Sequence, residues 1–431
     1  MDLALSAASA PLRGSVAVPG DKSLAHRVAL FAALASGETE VCNYPDSGVT
    51  RAMRSALEVL GVPSSLENGV LKLSGRKTLS PFQANGVVNC RNSATTFRLL
   101  AGALAATGTV ATLDGSEGLR RRPMDRIAEP LRLMGADVST TDGRAPLAFR
   151  PAPLHGIDYT LPVASAQVLS CLQLAALGAD GDSTFRVPGP VRDHTTRMLR
   201  AMGARIDVDG PVTCMHPLTP EDSLRPLRGT LPGDISSSAF LLVAAAIVPG
   251  SCVTIENVGV NPTRTGILDV LVEMGATVSV GNRRETFGEP VADITLEAAP
   301  LRGIDIGGDM VVRSIDEFPA IAVAAAFADG TTTVRDAEEL RYKESDRIAA
   351  IVAQLRALGA EVAETPDGFS VRGGTVRGGV ARANGDHRLA MSMALCGLRA
   401  PAPVTVEGAE ILDESFPGFV SSLDSLRQEA R

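Results

Sequence analysis

Apolar residues recur along this chain at the i, i+3, i+4 spacing of amphipathic helices, and five of these helical runs end in the same way. LEVLGV at Leu57, LRLMGADV at Leu131, LRAMGARI at Leu199, LVEMGATV at Leu271 and LRALGAEV at Leu355 each read as a helix end, a glycine C-cap and the start of a strand. Their glycines, Gly61, Gly135, Gly203, Gly275 and Gly359, stand 74, 68, 72 and 84 residues apart. A sixth register fits Leu423 to Leu426, where Arg427 replaces the glycine. Elsewhere VAVPG ends a strand before Asp21, and Ser23 to Leu34 carries helical spacing. Near-even spacing over five matches leaves chance a minor explanation. Six copies of about 70 residues, each with helices and strands, predict an α/β architecture built from one repeated unit, three copies to a domain.

Composition narrows this picture. A chain of 431 residues exceeds one ordinary core and suggests two domains of about 200 residues. A net charge of -8 and an aromatic content of 3% argue against a nucleic-acid partner, which demands a basic face and stacking platforms. The six cysteines show no CxxC spacing and the five histidines no ligand pairing, so a reducing cytoplasm and no metal are expected. The apolar runs Ala239 to Val248 and Phe318 to Ala328 fall short of the roughly 20 residues of a membrane span. Asp2 and the lack of a basic start speak against a signal peptide.

Lysine is scarce: 37 of the 41 basic residues are arginine, and lysine occurs only at Lys22, Lys72, Lys77 and Lys343. Lys22 and Lys343 fall in PGDKSLAHR and RYKESDR, segments crowded with ionisable groups, where an ammonium that exchanges protons does what a guanidinium cannot. That points to chemistry on an anion. In the first segment Pro19 and Gly20 stop a strand, Asp21 or Ser23 caps the next helix, and Lys22 falls where backbone amides point outward. Ser23 and Arg27 then lie one turn apart. CRNSATTFR places Asn92 and Ser93 at another helix start, and Arg122, held extended by Pro123, can present its planar fork to an anion.

Further helix starts carry Ser165 and Gln167 in SAQVLS, Asp234 in GDISSSAF, and Asp316 with Glu317 before an apolar helix from Ala320 to Ala328. RYKESDRIAA brings Lys343, Glu344 and Arg347 within one turn, and GDHRLAM sets His387 and Arg388 at a helix start. Each motif alone is equally well a cap or a solvated charge, and a Glu344 to Arg347 pair at i,i+3 is worth only about 0.2 to 0.5 kcal/mol. Together, Lys22, Arg27, Arg122, Lys343, Arg347 and Arg388 are too many cations at helix starts of an acidic chain to be all surface.

At these residues the chain resembles the 5-enolpyruvylshikimate-3-phosphate synthase family of enolpyruvyl transferases. The resemblance runs almost end to end through PGDKSLAHR, NSATTFRLL, LRRRPM, SAQVLS, RDHTTRML, GDISSSAF, NPTRTGIL, RDAEELRYKESDRIAA, GDHRLAM and SFPGF. It implies a two-domain inside-out α/β barrel of six βαβαββ repeats, three per domain, with the active site in the interdomain cleft. The domains would be residues 21–233, and 1–20 with 234–431. It further implies a cytoplasmic monomer acting on small molecules, phosphoenolpyruvate and a phosphorylated acceptor, with no membrane, metal or organic cofactor. By the same resemblance Lys22, Asn92, Ala94, Arg122, Gln167, Arg347 and Arg388 hold phosphoenolpyruvate, while Ser23, Arg27, Ser165, Ala166, Gln167, Asp316 and Lys343 meet the acceptor. Asp316 would be the base for the acceptor hydroxyl, with Glu344 and Lys22 the proton-shuttle candidates.

The chain departs from the family pattern at several positions. Arg91 replaces the usual glycine, Ala25 a serine, and Ala94 a glycine found in many members; members with alanine there resist glyphosate by crowding its position. Val191 stands where a serine binds the acceptor phosphate, a loss of a charged hydrogen bond of about 1.5 to 3 kcal/mol. Glu414 lies where some members carry a phosphoenolpyruvate-binding lysine. The expected activity is therefore transfer to shikimate 3-phosphate, with two alternatives: transfer to another phosphorylated acceptor such as UMP, or a non-catalytic binding relative. Retention of Lys22, Asp316, Glu344 and the three arginines speaks against the last. A UDP-N-acetylglucosamine enolpyruvyl transferase is disfavoured because Asp114 to Pro123 contains no cysteine.

Overall fold

The computed structural model describes residues 1–76, 79–219 and 221–427; Lys77 lies outside them. These residues form six small sheets, five of four strands and one of three. The simplest repeat runs from strand Val87–Asn89 through helix Ala94–Thr107, strand Ala111–Asp114, helix Asp125–Leu133 and strands Asp137–Thr141 and Arg144–Arg150. The first two strands pair in parallel and the last two close the sheet antiparallel, a βαβαββ unit. The same order recurs in the sheets that begin at Asp158–Thr160 and Asp305–Ile306. The six sheets match in number the six repeats that the family resemblance implies, three of them in this uninterrupted order and one with only three strands.

The predicted helix ends are the device that turns each repeat. Helices Gly48–Val59, Asp125–Leu133, His194–Ala201, Gly266–Glu273 and Arg347–Ala357 all stop two residues before one of the five glycines. Those glycines have φ of +78°, +96°, +103°, +112° and +88°, a region that side chains with a Cβ rarely enter. Behind each, the next N–H reaches back to the leucine carbonyl of the motif: Val62 to Leu57, Ala136 to Leu131, Ala204 to Leu199, Ala276 to Leu271 and Ala360 to Leu355, at 2.8 to 3.0 Å. All five leucines are fully buried and the residues just past the glycines are buried too, the apolar contact that accompanies this C-cap. The sixth register falls in helix Phe419–Arg427.

Two compact units result, a first of residues 20–231 with 285–289, and a second of 1–19, 232–284 and 290–431. Each holds three of the six sheets. Three of those sheets borrow a strand from afar: Arg228–Thr230 pairs with Glu38–Cys42, Arg13–Ala17 with Cys252–Gly259, and Leu3–Leu5 with Val404–Glu407. In the first unit, buried Glu289 accepts from His194 Nδ1 at 2.8 Å.

Six helices are buried almost all round: α1 Lys22–Leu34, α2 Ala94–Thr107 and α3 Ala166–Ala176 in the first unit, and α4 Ile235–Ile247, α5 Phe318–Ala326 and α6 His387–Leu395 in the second. Their alanine-rich, two-sided apolar character suits a central position in a core rather than an amphipathic cover. Close approach is built in: a Cβ on Gly102 of α2 would meet the Cys171 carbonyl of α3 at 2.1 Å. Helix α5 begins at Phe318, two residues before the apolar run read from the sequence, and Phe327 already leaves it. No helix among the described residues is long and apolar enough to cross a membrane.

Candidate active site

Most residues singled out in the sequence fall at or beside the start of one of these buried helices; Arg122 instead precedes helix Asp125–Leu133, and Lys343, Glu344 and Arg347 gather at the start of helix Arg347–Ala357. In the first unit Asp21, rather than Ser23, caps α1, accepting from the Leu24 N–H at 3.0 Å; Ser93 caps α2 and Ser165 caps α3. His26 joins two of the starts. Its Nδ1 donates to the Lys22 carbonyl at 2.6 Å, leaving Nε2 to accept from Ser93 Oγ at 3.2 Å, and burial pushes its pKa down to about 4. Gln167 joins α3 to α2, donating to Thr95 Oγ1 at 3.0 Å and accepting from Arg98. Arg27 is buried with three nitrogens engaged, on the Ser23 carbonyl at 2.8 Å, Ser170 Oγ at 3.0 Å and Thr195 Oγ1 at 2.8 Å. It fixes the α1 start from within rather than lying open beside it.

The arginine triplet resolves into two uses. Arg120 pairs with Asp114 and Arg121 with Glu117, both exposed, whereas the Arg122 side chain makes no hydrogen bond or ion pair with the described residues. Lys22 is the first residue of α1 and partly exposed. Asn92 is exposed and accepts from Ser116 Oγ at 3.0 Å; Ala94 and Ala166 are the first residues of α2 and α3.

In the second unit the centre is Arg347, 1% exposed and surrounded by three carboxylates. Its Nε donates to Asp386 at 2.8 Å and its Nη2 to Glu344 at 2.6 Å, while Nη1 stands 3.5 Å from Asp316 and hydrogen-bonds to no described residue. Arg388 donates to the Asp316 carbonyl at 3.2 Å. Desolvation works to raise the Glu344 and Asp386 carboxyls, but Arg347 foremost, with His387, outweighs it and holds both below the usual range. The Arg347 guanidinium, opposed by its own desolvation, is driven up by the same carboxylates. Lys343 donates to Glu339 at 3.1 Å and is only partly exposed.

Asp386 is the residue that sequence reasoning missed. It caps α6 through the N–H groups of Arg388 and Leu389 and also anchors Arg347, and the signal available for it was only an acid directly before His387 and Arg388. Arg264 and Ser236 were also missed: at the α4 start buried Arg264 donates to Ser236 Oγ at 2.9 Å and to Asp234 at 3.3 Å, and Ser236 donates to Glu317 at the α5 start. Neither α1, α6 nor helix Arg347–Ala357 carries an acid in its first turn; each carries a cation there. Each of the three is capped by an aspartate, Asp21, Asp386 and Asp346, which complements the dipole, so any attraction for an anion comes from the cations themselves.

The family model for EPSP synthase (3-phosphoshikimate 1-carboxyvinyltransferase) matches residues 7–423. The chain belongs to the EPSP synthase family. A 3-phosphoshikimate 1-carboxyvinyltransferase of Geobacter sulfurreducens is 47% identical over 421 residues, covering 96% of this chain and 97% of the relative. One of Syntrophomonas wolfei is 44% identical over 426 residues, with 98% and 99% coverage. The EPSP synthase structure from Acinetobacter baumannii superposes with a TM-score of 0.90 at 38% identity, covering 99% of this chain and 98% of that one. Like the members of the EPSP synthase family it resembles, the chain is a transferase.

The departures from the EPSP synthase pattern have definite places. Arg91 is exposed with φ +52°, the left-handed conformation for which the family's glycine is suited, and its N–H and carbonyl are fixed by Asn89 at 2.8 Å and Ser116 at 2.7 Å. Its side chain is turned to solvent. Ala25 is fully buried in α1, Val191 packs partly buried against the first unit's core, and Glu414 is exposed.

Proposed function

We propose that this chain transfers the enolpyruvyl group of phosphoenolpyruvate to a hydroxyl of shikimate 3-phosphate and releases phosphate, the reaction in the printed names of its relatives. The observation that carries the reading is the set of cations at helix starts, with the Arg122 side chain unpaired among the described residues and Arg347 Nη1 facing Asp316 without a hydrogen bond. In this reading Lys22, Asn92, Ala94, Arg122, Gln167, Arg347 and Arg388 bind the donor. Ser23, Arg27, Ser165, Ala166, Gln167, Asp316 and Lys343 meet the acceptor, and Arg27 also holds the Ser23 carbonyl.

The chemistry divides among these groups. Asp316 takes the proton of the acceptor hydroxyl as its oxygen attacks the donor's substituted carbon, and an acid protonates the methylene carbon. In the tetrahedral intermediate a methyl proton is then lost as phosphate leaves, restoring the double bond. Lys22, an ammonium at a helix start, is suited to give the first proton. Glu344, held ionised by Arg347, is suited to take the last one. The arginines stabilise charge growing on the departing phosphate. The protein would work in the cytoplasm as a monomer, with domains of residues 21–233, and 1–20 with 234–431.

The test is phosphate release from phosphoenolpyruvate with shikimate 3-phosphate or UMP as acceptor. Release with shikimate 3-phosphate supports the reading; release with UMP alone moves the protein to the second acceptor, the alternative that Val191 keeps in view; and no release with either defeats both.

A further inference from the structure

The outer face of one sheet in the first unit gathers four residues that enolpyruvyl transfer leaves unused. Strand Val212–Met215 pairs on one side with Ser183–Arg186 and on the other with Ile206–Asp209. Phe185, Ile206 and Met215 point into the core, so the alternation puts Asp207 and Cys214 on the opposite face. Carried one step beyond the strand ends, the same alternation adds Asp182 and His216. There Asp182 Oδ1 lies 2.9 Å from His216 Nδ1, and Asp207 Oδ2 lies 3.0 Å from His216 Nε2. One ligand atom from each of Asp182, Cys214 and His216 lies within 4.8 Å of the others, the only such set among the described residues.

We propose that Asp182, Cys214 and His216 form a binding site for a soft divalent cation of the zinc class, with Asp207 orienting the imidazole. Thiolate, imidazole and carboxylate together suit zinc, whereas calcium and magnesium need about six oxygens that this face does not supply. The cation takes Nδ1, the Cys214 sulfur as thiolate and one Asp182 oxygen, with the Nδ1 proton and the thiol proton both released to solvent. Nε2–H continues to donate to Asp207, the carboxylate–histidine–metal arrangement that fixes ring orientation. Bonds of about 2.0 to 2.3 Å require the three atoms to close inward somewhat, and the side chain of Asp182, 58% exposed, has room to do so. A solvent molecule completes a tetrahedron. Neither CxxC spacing nor a histidine pair marks this site in the sequence, because Cys214 and His216 are separated by Met215 alone and Asp182 arrives by strand pairing.

The probe is cobalt(II), titrated into the full chain after chelator treatment and then displaced by zinc. The expected result is one equivalent bound with a thiolate-to-metal charge-transfer band and tetrahedral d–d bands. Cys214→Ser should remove the charge-transfer band, His216→Gln should weaken binding at least tenfold, and Asp207→Asn should weaken it by about ten- to a hundredfold. Cys42→Ser, at an exposed thiol elsewhere, should change nothing. All four variants should keep the parent rate of enolpyruvyl transfer, which reports that each has folded. Should Cys214→Ser fail to fold, His216→Gln and Asp207→Asn carry the test. A wild-type spectrum without a thiolate band, a band that survives Cys214→Ser, or affinity unaltered by His216→Gln would each overturn the site and leave only adventitious binding to surface carboxylates.

Discussion

Arg347 is held buried and charged, and under the proposed function it also offers one nitrogen to a ligand. Asp386 and Glu344 hold it by occupying Nε and Nη2, which leaves Nη1 toward Asp316. Asp386→Ala removes a buried cap and a buried counter-ion together, so unfolding by denaturant should show a loss of about 3 to 5 kcal/mol. Lys22→Arg keeps the charge and the helix start but not the exchangeable ammonium. Turnover should vanish while circular dichroism and melting temperature stay at parent values; near-normal rates would defeat the proton-transfer role. His26 supplies a pH signature. Its folded pKa of about 4 lies below the ordinary 6.5, so the unfolded chain binds the extra proton between these values. The contribution is fully present above pH 6.5 and is lost as pH falls toward 4, by roughly 3 kcal/mol in all. Stability measured across that window should fall more steeply for the parent than for His26→Gln.

At the scale of elements, the repeated helix end was the most legible part of the sequence, because a glycine with φ near +90° leaves a mark that no other residue can substitute. Gly135→Ala would force a Cβ to 2.7 Å from the Pro153 carbonyl at φ +96°. At Gly203 the nearest atom, of Arg225, is 3.8 Å away, and only the backbone penalty at φ +103° remains. Both alanine variants should be destabilised by at least about 1 kcal/mol, with Gly135→Ala the worse of the two in chemical denaturation. Helix starts were legible as places and not as roles, since Asp, Ser and Asn cap helices whether or not a ligand is near. That is why Arg27, an open anion contact by spacing, proved to be internally bonded, and why Asp386, an ordinary cap by sequence, proved to hold Arg347. Arg122 was legible among three consecutive arginines because Pro123 follows it, and the pairing of Arg120 with Asp114 and Arg121 with Glu117 leaves the same residue over.

For the whole molecule, the pairings of highest sequence separation lie in the second unit, where Arg13–Ala17 and Leu3–Leu5 find partners beyond residue 250 and residue 400. The first unit is continuous from 20 to 231 apart from its short insert. Closing long loops is slow, so pulse-labelled hydrogen exchange during refolding should protect Ala111–Asp114 and Arg144–Arg150 before Arg13–Ala17 and Cys252–Gly259. Simultaneous protection of both pairs would contradict this order. The borrowed strand Arg13–Ala17 also has a meaning for synthesis. During synthesis it stays unpartnered until more than two hundred further residues have followed. Its five residues, RGSVA, are short, charged at one end and largely exposed even when paired, a composition that keeps a waiting edge from recruiting the wrong chain.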